Sequence, residues 1–97
     1  MAKHTNVVRF KVKAGHQAEF ESIFRETTVL DGRLLHILAK TGDQTYVGYG
    51  LWESGRHMQA AMPAMMDLLD STRHLLDEWS PELGVTDPVS GSVVFEG

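Results

Sequence analysis

Val8, Phe10 and Val12 alternate with Arg9, Lys11 and Lys13, a two-residue period that predicts a strand over residues 5–13 with one apolar and one cationic face. Ala14-Gly15 breaks it. From His16 the period lengthens: Phe20, Ile23, Phe24 and Thr27 recur at helical spacing, with Glu19, Glu21, Ser22, Arg25 and Glu26 opposite. Asp31-Gly32 ends this helix, and a strand over residues 33–40 follows. Leu34, His36 and Leu38 alternate there with Leu35, Ile37 and Ala39, so both faces carry apolar groups and burial on both sides is expected. Thr41-Gly42-Asp43-Gln44 has the composition of a hairpin turn. Its second arm is Tyr46-Val47-Gly48-Tyr49-Gly50-Leu51-Trp52, where Tyr46, Gly48, Gly50 and Trp52 share one face. Two glycines between two aromatic rings make a notch in that face.

Ser54 is a helix N-cap, offering its hydroxyl to the free amides of the next turn. Pro63 lacks an amide and its ring clashes with the preceding turn, which splits the following segment into a short helix to about Met62 and a longer one from Pro63. In the longer piece Met65, Leu68, Leu69, Thr72, Leu75, Leu76 and Trp79 form a stripe that predicts helix as far as Ser80-Pro81. A last strand is expected over residues 89–96, carried by Val93, Val94 and Phe95. The order βαββαβ resolves into a ferredoxin-like α+β fold, a four-stranded antiparallel sheet with both helices on one face. Val7, Leu35, Ile37 and Val47 are left on the uncovered face, which predicts a homodimer packed sheet to sheet.

Ninety-seven residues suffice for one domain, here residues 1–97, but bury only about two-thirds of the unfolded surface, which adds weight to a partner subunit. A net charge of -4 without a Lys/Arg cluster argues against nucleic acid. No stretch approaches the roughly 20 apolar residues of a membrane span, so no membrane partner is expected. The first residues lack the apolar run of a signal peptide and cysteine is absent, which makes the cytoplasm the expected setting.

The first strand from Val7 to Gly15, the helix bearing Phe20 and Phe24, and the third strand closing in Trp52-Glu53-Ser54 together resemble the antibiotic biosynthesis monooxygenase domain of the dimeric α+β barrel superfamily. The resemblance covers residues 5 to about 66. It implies a dimer with a pocket in each subunit between sheet and helices. In the quinone-forming members oxygen enters phenolic polycyclic substrates without metal, flavin or other cofactor, so no cofactor is expected. The family's pocket tryptophan falls on Trp52, its pocket asparagine on Gly48 and a helix tyrosine on Met58. Two usual polar groups are thus replaced, which implies a roomier, more apolar cavity. The haem-degrading branch uses a helix tryptophan that residues 54–78 lack.

Cofactor-free oxygenation needs an ionised substrate, a base near neutrality and a dry pocket. Two histidines are candidate catalytic bases. His36 lies in an apolar strand row where desolvation favours the neutral imidazole, and His57 lies within a turn of Trp52. Either can instead be an ordinary packed or surface histidine. Trp52 and Tyr46 are candidate aromatic walls of the notch, with Phe20, Phe24, Met58 and Met62 as an apolar lining for a small aromatic molecule. Met65 and Met66 are read as core packing, and Tyr49, on the other face, as a dimer contact. The leading expectation is a cofactor-independent monooxygenase acting with dioxygen on a small aromatic or quinol-like compound. Two alternatives are a non-catalytic ligand-binding or stress-associated protein of the same fold, and an isomerase or lyase on a small hydroxy-keto metabolite.

Overall fold

The computed structural model describes residues 2–97. In chain order the elements are β1 (His4–Lys11), α1 (Gln17–Arg25), β2 (Arg33–Lys40), β3 (Thr45–Trp52), α2 (Gly55–Ala60), α3 (Met62–Thr72), a 3-10 turn (Arg73–Leu75) and β4 (Thr86–Ser92). The strands form one antiparallel sheet in the order β2-β3-β1-β4, covered by helices on one face, so the expected ferredoxin-like α+β class holds. No helix among the described residues is long and apolar enough to cross a membrane.

Register sorts the side chains by face. Tyr46, Gly48, Gly50 and Trp52 of β3 lie opposite Phe10, Val8, Asn6 and His4 of β1, and on the other side opposite Lys40, Leu38, His36 and Arg33 of β2. These make the inner, helix-covered face. Val7, Val47, Tyr49, Leu51, Leu35 and Ile37 occupy the outer face. As an edge strand whose outer side chains have no cover, β2 is not buried on both sides as its pattern predicts, and Leu35 and Ile37 are 43% and 46% exposed.

The inner face divides into two ends. At the Tyr46 end a core of Phe10, Val12, Phe20, Tyr46, Leu75 and Leu76 is closed, with Phe20 wholly buried. Its ring lies 5.3 Å from that of Phe10, 5.0 Å from Phe24 and 5.1 Å from Tyr46, in tilted arrangements that aromatic quadrupoles favour. Tyr46 Oη donates to Glu21 Oε2 at 2.6 Å. Burial, then this bond, pushes the phenol up to about 12 and holds it neutral, while the same bond holds the Glu21 carboxyl below its ordinary value.

Two elements depart from the expected pattern. The helix from Pro63 ends at Thr72 instead of reaching Trp79. Ser71 and Thr72 turn their hydroxyls onto the carbonyls of Leu68 and Leu69, which competes with helical hydrogen bonding, and Leu76 then forms an isolated bridge with Val12 that buries it in the core. Trp79, thus freed from the stripe, lies across the outer-face row, 4.6 Å from the Arg9 guanidinium and 5.3 Å from Lys11, with Nε1 donating to the Arg9 carbonyl. The last strand runs from Thr86 to Ser92, earlier than the Val93-Val94-Phe95 pattern places it. Pairing with β1 sets these bounds: His4 meets Ser92, the Val93 amide reaches Lys3 O, and beyond it Val94 and Phe95 are 97% and 84% exposed. Pro88 is accommodated because β4 is an edge strand.

Candidate functional site

At the Trp52 end the inner sheet face and the helices enclose a cavity of about 670 Å³, within the usual range for a small organic ligand. The floor is Asn6, Val8, Gly48, Gly50 and Trp52, the roof Met58, Met62, Met65, Met66 and Leu69, and the walls include Phe24, His36 and Arg33. The bend before Pro63 brings Met58 of α2 and Met65 of α3 over the sheet, with Met62 and Met66, 43% and 41% exposed, at the rim of the cavity. Their flexible thioethers suit a flat aromatic guest. Met65 and Met66, read from sequence as core packing, share this lining.

Trp52 is wholly buried and donates from Nε1 to Asn6 Oδ1 at 2.6 Å. The indole can only donate, so this bond fixes the Asn6 amide with its oxygen toward Trp52 and its NH2 toward the cavity, where Met65 Sδ at 3.8 Å is its partner. A thioether is a weak acceptor, which leaves the Asn6 NH2 as a donor for an oxygen atom of a guest. The Asn6–Trp52 bond passes directly over Gly50. A Cβ there would collide with Asn6 Oδ1 and come within 3.0 Å of Trp52 Nε1. The notch at Gly48 is filled differently, by the edge of Phe10, whose Cε2 would lie 3.2 Å from a Cβ. Gly50→Ala is therefore expected to break the Asn6–Trp52 bond and cost about 3 kcal/mol in denaturant melts, while Gly48→Ala, relieved by a small ring shift, costs about 1 kcal/mol.

His36 stands in the wall with its ring 5.8 Å from that of Phe24. Burial, and then the Arg33 charge, holds its pKa below the ordinary histidine value, so the imidazole is neutral at pH 7 and free to accept a proton. Arg33 faces the Trp52 ring at 5.8 Å.

Three sequence candidates lie elsewhere. Tyr46 and Phe20 belong to the closed core and do not line the cavity; their apolar bulk is consumed in packing against Phe10 and Leu75. His57 is also outside the cavity wall. Its Nδ1 is 2.8 Å from Ser54 Oγ, its Nε2 is 3.5 Å from Glu53 Oε2, and its ring lies over Gly32, in the space a Cβ would take. Ser54 accepts from the His57 amide as the cap pattern predicts, so this histidine locks the start of α2 onto the Gly32 turn. Trp52, Phe24, Met58, Met62 and His36 do come together around the cavity. Asn6 and Arg33 join them without having been singled out by the sequence. Among the described residues no three His, Asp or Glu side chains converge as metal ligands do.

No protein-family model matches the chain, and no curated protein matches it. Solved structures do. SnoaB, a cofactor-independent oxygenase from Streptomyces nogalater, superposes with a TM-score of 0.76 at 23% identity, covering 99% of this chain and 97% of that one. A Nitrosomonas europaea protein of unknown function superposes at 0.78 with 17% identity, covering 100% and 94%. A proposed antibiotic biosynthesis monooxygenase from Chloroflexus aurantiacus does so at 0.77 with 14% identity, covering 99% and 97%. The chain therefore has the fold of the antibiotic biosynthesis monooxygenase-like structures.

Proposed function

We propose that this protein oxidises a small aromatic, quinol-like compound with dioxygen in the cavity beneath α2 and α3, without a cofactor. The observation that carries this reading is the placement of a neutral imidazole, His36, and a fixed amide donor, Asn6, in one apolar cavity walled by Trp52. His36 removes the phenolic proton, and the Asn6 NH2 holds the resulting oxyanion. The electron-rich ring supplies the electrons itself: the ring C–H carbon para to the oxyanion bonds to dioxygen, its hydrogen and the proton taken up by His36 leave with the second oxygen atom as water, and that carbon and the former phenol carbon remain as carbonyls. One ring C–H and one phenolic O–H plus dioxygen give two carbonyls plus water, so no outside reductant enters the balance. Met58 and Met65, the less exposed methionines, cover the anion from above. The cofactor-independent oxygenase SnoaB shares this fold, which supports the reading. Incubation of an anthrone with the protein under isotopically labelled dioxygen is expected to place one labelled atom in the product. Product formed equally well under anoxia would replace the oxygenase by an isomerase or lyase, and binding without product would leave a ligand-binding protein.

The proposed assembly is a homodimer packed through the outer sheet face. Leu35, Ile37 and Val89 are 43%, 46% and 63% exposed there, beside Val7, Val47 and Tyr49. A contiguous apolar sheet face is costly in water and is covered when two copies meet. Light scattering at micromolar concentration is expected to give twice the 10.8 kDa chain mass; 10.8 kDa itself would refute the dimer.

A further inference from the structure

We propose that Arg33 is the anion-binding residue of the cavity and that the aromatic substrate carries a carboxylate group. This rests on the reading that the cavity binds an aromatic compound. The chain has 13 Asp and Glu against 9 Lys and Arg, yet the cavity lining contains Arg33, Arg73 and His36 and no acidic residue. The wall is cationic in an acidic protein. The two arginines differ in what they already hold. Arg73 Nε is 2.8 Å from Asp70 Oδ1, and Arg9 and Arg25 are likewise paired, with Asp87 and Glu21. Arg33 has no carboxylate partner among the described residues. Its Nη2 donates to the carbonyl of Thr28 at 3.0 Å, one of five donors in the guanidinium fork.

Position adds a second argument. The strand pairing of β2 slips between Arg33 and Leu35, which seats Arg33 opposite Trp52 instead of among the outer-face residues. An irregularity in the sheet thus brings a cation to the end of the cavity where the indole forms the wall, with its guanidinium 5.8 Å from that ring. Burial there pulls the Arg33 pKa down, the sign of a charge that has given up water without gaining a counter-ion. A carboxylate on the edge of an arene held in the cavity meets the free side of the fork and is held by paired, charge-assisted hydrogen bonds. Arg33 also sits at the His36 end of the wall, so the same contact orients the ring toward the base.

Calorimetric titration with a hydroxynaphthoate and with the naphthol lacking its carboxylate tests this. The wild-type protein is expected to bind the hydroxynaphthoate about tenfold more tightly or better. In Arg33→Gln the hydroxynaphthoate should lose its advantage, so that the two affinities fall within about twofold of each other, and Arg33→Lys should keep part of the preference. A cooperative denaturant transition matching that of the wild type shows that the variant is folded. Equal affinities in the wild type, or a preference that survives in Arg33→Gln, would overturn the assignment of Arg33 alone. Failure of both compounds to bind the wild type would overturn the aromatic-cavity reading and this inference with it.

Discussion

Replacing His36 with alanine is expected to lower turnover of a quinol-like substrate about a hundredfold or more, the usual cost of removing a general base. His57→Ala should leave it nearly unchanged, because both ring nitrogens of His57 face Ser54 and Glu53 outside the cavity. The pH profile carries the sharper signature. A base works when deprotonated, so the rate rises with pH and levels off once the imidazole is neutral. Since burial and Arg33 hold the His36 pKa below the ordinary 6.5, the inflection in the free enzyme is expected below that value and should vanish in the variant. The same shift has a stability consequence. Above pH 6.5 the imidazole is neutral in both folded and unfolded chains. As pH falls from 6.5 toward the lower folded value the unfolded chain takes up a proton that the folded one refuses, and stability declines. His36→Ala should remove that part of the acid sensitivity. An inflection above 6.5 would contradict the buried, neutral base.

Phe20→Ala is expected to cost about 3–5 kcal/mol, a large part of the 5–15 kcal/mol that holds a typical domain together. The ring is wholly buried between Phe10, Phe24 and Tyr46, so its removal leaves a cavity in the closed core. Phe24→Ala should behave differently. That ring is half-buried, touches the core on one side and lines the cavity on the other, so its loss should weaken ligand binding while costing less stability. Chemical denaturation of the two variants, read beside ligand affinity, separates the closed end of the inner face from the open one. Equal stability losses with no change in binding for Phe24→Ala would mean that the cavity wall is misplaced.

The strands were legible where a single face is buried. The alternation through Tyr46, Gly48, Gly50 and Trp52 survives because a one-residue slip would turn the whole row outward. The same parity held a signal for Asn6. It stands two residues before Val8 on the face that continues through Phe10 and Val12, a polar group leading into an apolar run. Arg33 was not legible by parity, because the slip in β2 pairing places it against the count that Leu35 and Ile37 establish. The two histidines illustrate the limit of distance along the chain. His57 is near Trp52 in sequence, but the Ser54 cap turns it onto Gly32, whereas His36 reaches the cavity through cross-strand pairing with Gly50. Tyr46 and Trp52 share a strand face, yet α1 and the 3-10 turn close over one and leave the other beside a cavity. The end of the chain misled for a related reason: Val93, Val94 and Phe95 have strand-forming side chains, but the pairing with β1 closes at His4–Ser92 and the Val93 amide on Lys3 O, and Val94 and Phe95 stand exposed.

The most direct test of a cofactor-free oxygenase with its pocket at Trp52 is oxygen uptake by the metal-free protein across anthrones, naphthols and hydroquinones, with Trp52→Phe measured alongside. Phenylalanine keeps an aromatic wall but cannot donate to Asn6 Oδ1, so the amide loses the contact that fixes its direction. Uptake above the spontaneous rate in the wild type, falling at least about tenfold in the variant, is the expected result. Uptake no faster than the spontaneous rate for every compound, or uptake indifferent to Trp52, would contradict it.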